Sequence, residues 1–84
     1  MDVTYVRVQP NDGIWGVTLN GEQAPLAKFM HWDDAVDYAR GLAIENRDCI
    51  FEGEDREGRV SVREEFYSDD TGAIYVRSLL GLSN

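Results

Sequence analysis

Between His31 and Asn46 (HWDDAVDYARGLAIEN), apolar or small side chains recur at Trp32, Ala35, Val36, Ala39, Leu42 and Ala43. That is the i, i+3, i+4, i+7 spacing of one helical face, and no other stretch shows it so strongly. Asp33 and Asp34 fall in the first turn, where the positive end of the helix dipole favours them. Arg40 and Arg47 suit the other end, and Asn46 accepts the left-handed conformation that closes a helix. Elsewhere the period is two. Val3–Val8 (VTYVRV) sets Thr4, Val6 and Val8 on one face of a strand and Val3, Tyr5 and Arg7 on the other. Pro10-Asn11-Asp12-Gly13 is a turn signal, because proline presets φ and glycine accepts positive φ. Ile14–Leu19 forms a second strand with Trp15, Val17 and Leu19 on one face, and Asn20-Gly21 fits a type I′ hairpin. Pro25 argues against a central strand, leaving Leu26–Met30 as a short third strand into the helix.

After the helix, Asp48–Glu52 reads as a strand and Gly53–Gly58 (GEDREG) as a charged turn. In Arg59–Tyr67, Val60, Val62 and Phe66 share a face, with Arg59, Ser61, Arg63, Glu65 and Tyr67 opposite. Glu64 interrupts the inner face, which places it near an edge. Ser68–Gly72 is another turn, and Ala73–Leu80 is either a final strand or a docked tail. The order ββ(β)αββ predicts an α+β two-layer sandwich: an antiparallel sheet of about four or five strands with one helix packed across it. Tyr5, Arg7, Arg59, Arg63 and Tyr67 would make the uncovered sheet face amphipathic, a natural place for a partner or a second copy.

Eighty-four residues make one small domain, 1–84, with 73–84 as its tail, since half that length could not bury an adequate core. A hydrophobic content of 43% belongs to a folded chain rather than a disordered one. No apolar run approaches the roughly 20 residues of a membrane span, and MDVTYVRVQPND lacks the basic and apolar regions of a secretory signal. With its single cysteine, Cys49, the chain reads as a reduced, cytoplasmic protein of bacterial type. The net charge is −8, and thirteen acids against five arginines between Asp33 and Asp70 account for all of it. The first thirty-two residues carry −1 and the stretch from Thr71 carries +1. Such a balance repels phosphates and anionic head groups, so neither direct nucleic-acid binding nor membrane binding is expected.

The strand after an Asp-Gly turn (DGIWGV), Phe29, the helix DDAVDYARGLA and a charged glycine turn into RVSVREEFY together resemble a family of small bacterial proteins. That family is known only as a domain of unknown function, with a pattern close to G-W-x-V, F-x-T-x-x-E-A-x-x-x-A-R-x-L-A and D-G-x-I. The likeness runs from Tyr5 to Tyr67. His31 stands where the family has a Thr or Ser cap, one extra residue separates Gly13 from Trp15, and Gly41 replaces a longer side chain. AIYVRSLLGLSN has no counterpart. The resemblance implies a fold of the kind derived above and no established activity, so it lends no catalytic residue.

Candidate chemistry is sparse. One cysteine and one histidine do not supply the four ligands of a zinc site. A nucleophile–base pair of Cys49 and His31 would have to bridge a helix length. The acidic turns lack the ligand register and central glycine of a calcium loop. No phosphate-binding glycine loop is present, and Trp15 and Trp32 fall on inward faces, where they build core. No catalytic residue, cofactor or metal is expected. The remaining expectation is a non-enzymatic interaction module whose partner is a protein or a second copy, in a weak dimer. Asp33, Asp34 and Asp37 on the helix, with Glu52, Glu54, Asp55 and Glu57 crowding the next turn, form its acidic surface. Ile74 and Val76, with Leu79 and Leu80, supply an apolar edge. The alternatives are a ligand-binding domain or enzyme with a pocket between helix and sheet, and an acidic mimic of nucleic acid built on Glu52–Asp70.

Overall fold

A computed structural model describes residues 3–79. It contains strands β1 (Thr4–Asn11), β2 (Ile14–Leu19) and β3 (Ala27–Phe29), helix α1 (Trp32–Glu45), and strands β4 (Cys49–Glu54), β5 (Val60–Ser68) and β6 (Ile74–Ser78). The helix packs on one face of a single sheet, so the α+β sandwich stands. The sheet is larger than expected and not wholly antiparallel: six strands run in the order β3-β2-β1-β4-β5-β6, with β1 and β4 parallel at its centre. Direction explains the parallel pair. Two hairpins leave β3 running the same way as β1, and the helix carries the chain back across the face. The next strand must then start at the end where β1 started.

Asp12-Gly13 is a two-residue type I′ hairpin turn between the paired Asn11 and Ile14. Asn20-Gly21 makes a tight turn of the same backbone kind but not the expected two-residue hairpin, since β2 and β3 pair only from Val17 and Ala27 and the connection runs on to Leu26. Asp12 and Gly13 have φ of 52° and 86°, Asn20 and Gly21 have 54° and 73°, and Glu22 N–H donates to the Leu19 carbonyl at 3.1 Å. Only Asn, Asp and Gly accept that conformation readily, and its twist matches the flanking strands. Pro10, expected in the first turn, lies in β1 opposite Trp15. It is tolerated because the pairing of β1 with β4 stops at Val8 and Gly53, so no neighbour needs a donor from residue 10.

The core fills the space between helix and sheet. Val6, Val8, Trp15, Val17, Phe51 and Phe66 rise from the sheet, and Ala35, Val36, Ala39 and Ala43 descend from the helix. Three alanines at the contact let the helix sit close. Trp32 packs at the rim and donates its indole N–H to the Glu54 carbonyl at 3.1 Å, directly over Gly53. The two tryptophans therefore do join one core. The helix ends differ from expectation. Asn46 has φ −113° rather than a left-handed conformation, and instead it donates both its N–H, at 3.0 Å, and its side-chain amide, at 2.8 Å, to the Leu42 carbonyl. Arg47 donates to the Ile44 carbonyl. Arg40 does not serve the helix end at all. It reaches the sheet, where Nε and Nη2 donate to the two oxygens of Glu64 at 2.9 and 3.0 Å. Glu64 is thus neither at an edge nor unsatisfied.

The turns after β4 and β5 share one hydrogen-bonding scheme. In Asp55-Arg56-Glu57-Gly58-Arg59, Asp55 Oδ1 accepts from the N–H of Glu57 and of Arg59, at 2.9 and 3.0 Å. In Asp69-Asp70-Thr71-Gly72-Ala73, Asp69 Oδ1 accepts from the N–H of Thr71 and of Ala73, at 2.9 and 3.2 Å. Each loop closes with a glycine at positive φ, 81° at Gly58 and 85° at Gly72. These two aspartates hold hairpins together, so their first task is structural.

Candidate interaction surfaces

The face of the sheet opposite the helix carries charge in matched sets. Glu52 points to this face from β4 and sits between Arg7 of β1, whose Nη2 lies 3.0 Å from Oε1, and Arg63 of β5, whose Nε donates to Oε2 at 2.7 Å. Its side chain is only 12% exposed. Glu52 was expected to crowd the turn with Glu54, Asp55 and Glu57; it is instead an internal counter-ion for two arginines. Strand order brings the three together, because β1, β4 and β5 are consecutive neighbours. Further along, Arg77 pairs with Glu65 and lies 5.8 Å over the Tyr67 ring, which stacks on Tyr75 at 5.4 Å. Arg59, expected on this face, belongs to the turn before β5. Between the first two strands a groove of about 450 Å³ opens on the same face, lined by Tyr5, Arg7, Gln9, Thr18, Asn20 and their turn.

The expected acidic surface divides. Asp33, Asp34 and Asp37 are exposed along the helix, as is Glu57 in the turn. Glu54 is half-buried and accepts from the Gln9 amide at 3.3 Å, and Asp55 is occupied by its own loop. The helix residues make an exposed acidic strip, while Glu54 and Asp55 are engaged elsewhere.

Of the expected apolar edge, Ile74 and Val76 stand on the outermost strand of the sheet. Every residue of β6 from Ile74 to Ser78 is exposed, with Ile74 at 48% and Val76 at 54%. Both lie on the helix side of the sheet, in register with Ser68 and Phe66, but the helix lies over the other strands and leaves them uncovered. Leu79 is half-buried, and its N–H donates to the Arg63 carbonyl at 2.8 Å. Leu80, expected to share this edge, lies outside the described residues. The two edges of the sheet contrast. At the far side β3 is three residues long, carries Lys28 and follows Pro25, which are standard protections against strand addition. β6 is longer, has no proline, and its one charge, Arg77, is engaged by Glu65.

Other sequence-level candidates are kept apart. Cys49 is fully buried, and burial pushes its thiol up to about 11. His31 is exposed at the opposite end of the helix, so they form no nucleophile–base pair. Asp69 is held down to about 2, first by the Thr71 hydroxyl, which donates at 2.6 Å, and then by the Tyr75 hydroxyl at 2.8 Å. The described residues contain no group of three or more His, Cys, Asp or Glu arranged to hold a metal. No helix among them is long and apolar enough to cross a membrane. The sequence signal for the Arg7–Glu52–Arg63 set was present as alternation, but its assembly required the strand order. No family model, curated protein or solved structure matches the chain.

Proposed function

We propose that this chain is a non-enzymatic protein-interaction domain, working in a reduced cytoplasmic setting, that takes an extended segment onto the outer edge of β6. One observation carries the reading: a five-residue strand bearing Ile74, Tyr75 and Val76 stands at the sheet edge with all its residues exposed. Strand addition supplies main-chain hydrogen bonds for affinity and alternate side chains for selection. The acidic helix strip would speed the approach of a basic partner, an effect screened over about 8 Å at physiological ionic strength. Its excess of acid also speaks against direct binding to nucleic acid. Val76→Lys places a charge in the middle of the edge, at a side chain that is 54% exposed. Bait protein should retain a stoichiometric partner that the Val76→Lys bait loses. Equal recovery by both baits would remove β6 from the account.

A second reading is favoured by the groove on the open face, where Tyr5 lies among Arg7, Gln9, Thr18 and Asn20, a mixed lining that suits a small amphipathic ligand. Native mass spectrometry of gently purified protein tests it. A copurifying small molecule, lost on Arg7→Ala, is the result it requires.

A further inference from the structure

Resting on the strand-addition reading, we infer that the segment taken up by β6 is β6 of a second copy, paired antiparallel about a two-fold axis through Tyr75. Hydrogen-bond parity sets the geometry. On the β5 side, Leu79 N–H donates to the Arg63 carbonyl and Asp69 N–H donates to the Ala73 carbonyl. In an antiparallel ladder the bonded residues alternate, so Ala73, Tyr75, Arg77 and Leu79 turn their main-chain groups towards β5. Ile74 and Val76 therefore turn theirs outward. A two-fold axis at Tyr75 sets Ile74 opposite Val76 of the second copy and Val76 opposite its Ile74. Each such pair can exchange both its N–H···O=C bonds.

Side chains fit this register on both faces. On the helix side it gathers Ile74 and Val76 from each copy into one apolar cluster beside Phe66, covering the two most exposed aliphatic groups of the edge. On the other face it sets Tyr75 against Tyr75, extending the Tyr67–Tyr75 stack of each copy into a ladder of four rings. Tyr75 is already fixed by that stack and by its hydroxyl bond to Asp69 at 2.8 Å, so little side-chain entropy remains to be lost. Charge selects the same place. Two copies at −8 each repel, but Arg77 is the only charged side chain from Thr71 onwards, and the acidic helix strip lies over other strands. A five-residue strand pairing falls below the area of a standard interface, so the dimer is weak and concentration-dependent.

The test uses the full chain. Sedimentation of the wild-type protein up to about 1 mM should show a reversible monomer–dimer equilibrium. Ile74→Lys or Val76→Lys, each present twice per dimer, should raise the dissociation constant by about tenfold or more, since a charge on an edge strand blocks pairing. Both sites are exposed, and an unchanged circular dichroism spectrum confirms that the variants fold. Register is read by oxidation. Tyr75→Cys puts two thiols on opposed residues about 4.5 Å apart at Cα, within disulfide reach, whereas Val76→Cys leaves them on a diagonal of about 7–8 Å. Efficient covalent dimer from Tyr75→Cys, little from Val76→Cys and none through buried Cys49 is the expected pattern. Preferential cross-linking at residue 76 overturns the register. A wild-type protein monomeric throughout overturns the second-copy inference; strand addition itself survives that result only if bait protein still holds a partner that Val76→Lys loses.

Discussion

Arg40→Ala is the substitution whose cost the packing between helix and sheet defines most sharply. Glu64 projects from β5 towards the helix with its side chain only 16% exposed, and Arg40 meets both of its oxygens. The guanidinium also lies 5.9 Å from the Phe51 ring centre. Removing Arg40 strands a largely buried carboxylate. Orphaning one member of a fully buried pair costs about 3–5 kcal/mol. Arg40 is 42% exposed, so solvent already screens the pair, and about 2 kcal/mol is the appropriate figure. For a domain of this size that lowers Tm by roughly 10 °C. Glu64→Leu is expected to cost less than about 1 kcal/mol, because the freed Arg40 can swing into water while leucine fills the site. Arg40→Met with Glu64→Leu should return to within about 1 kcal/mol of wild type, since an apolar pair of similar volume needs no desolvation. Urea unfolding followed by tryptophan fluorescence compares the four proteins. If Arg40→Ala costs no more than Glu64→Leu, the carboxylate is not held out of solvent and the reasoning fails.

Trp15→Ala removes an indole that is 4% exposed; a loss of about 3–5 kcal/mol should leave the domain unfolded or nearly so, and a thermal melt shifted by only a few degrees would refute its place in the core. Gly41→Ala should stabilise by up to about 1 kcal/mol, because Gly41 is exposed in mid-helix and a methyl group there meets nothing within 4 Å; chemical denaturation checks the sign. Asp69 is held below its unfolded value, so its contribution is fully present above about pH 4 and is lost as pH falls towards about 2. Asp69→Asn should lose that part of the acid dependence, which acid titration of the two proteins side by side would reveal.

Local signals in the sequence carried the local structure. The helix bounds follow from period and charge, and the Asn20-Gly21 turn follows from the few residues that accept positive φ twice in succession. What needed the structure was everything that depends on which strands are neighbours. Glu52 and Ile50 alternate with Cys49 and Phe51 in any strand, but Arg7 and Arg63 flank Glu52 only because β4 lies between β1 and β5. Glu64 broke an apolar alternation, and alternation alone has no means of finding Arg40, which comes from a helix twenty-four residues earlier. The parallel pairing of β1 with β4 has no residue signature; it results from the parity of the elements between them. Ile74 and Val76 were legible as apolar positions, while their exposure required knowing that the helix stops short of β6.

Acidity and edge exposure belong to one physical arrangement. Of the acids between Asp33 and Asp70, Glu52, Glu64 and Glu65 answer arginines, and Asp55 and Asp69 close turns. The rest of the excess is carried largely by exposed groups on the helix and at its C-terminal end: Asp33, Asp34, Asp37, Glu45 and Asp48. Like charge in that layer opposes a helix-to-helix approach of copies, and the paired arginines Arg7, Arg63 and Arg77 leave the open face little net attraction for it. β3 is closed to strand addition by its length and by Lys28. β6 is left as the place where main-chain groups, apolar side chains and low charge coincide. Raising ionic strength weakens the repulsion between copies without altering the main-chain bonds. Association through β6 should therefore strengthen with salt. A partner drawn to the acidic helix would show the opposite dependence, and a salt series separates the two surfaces.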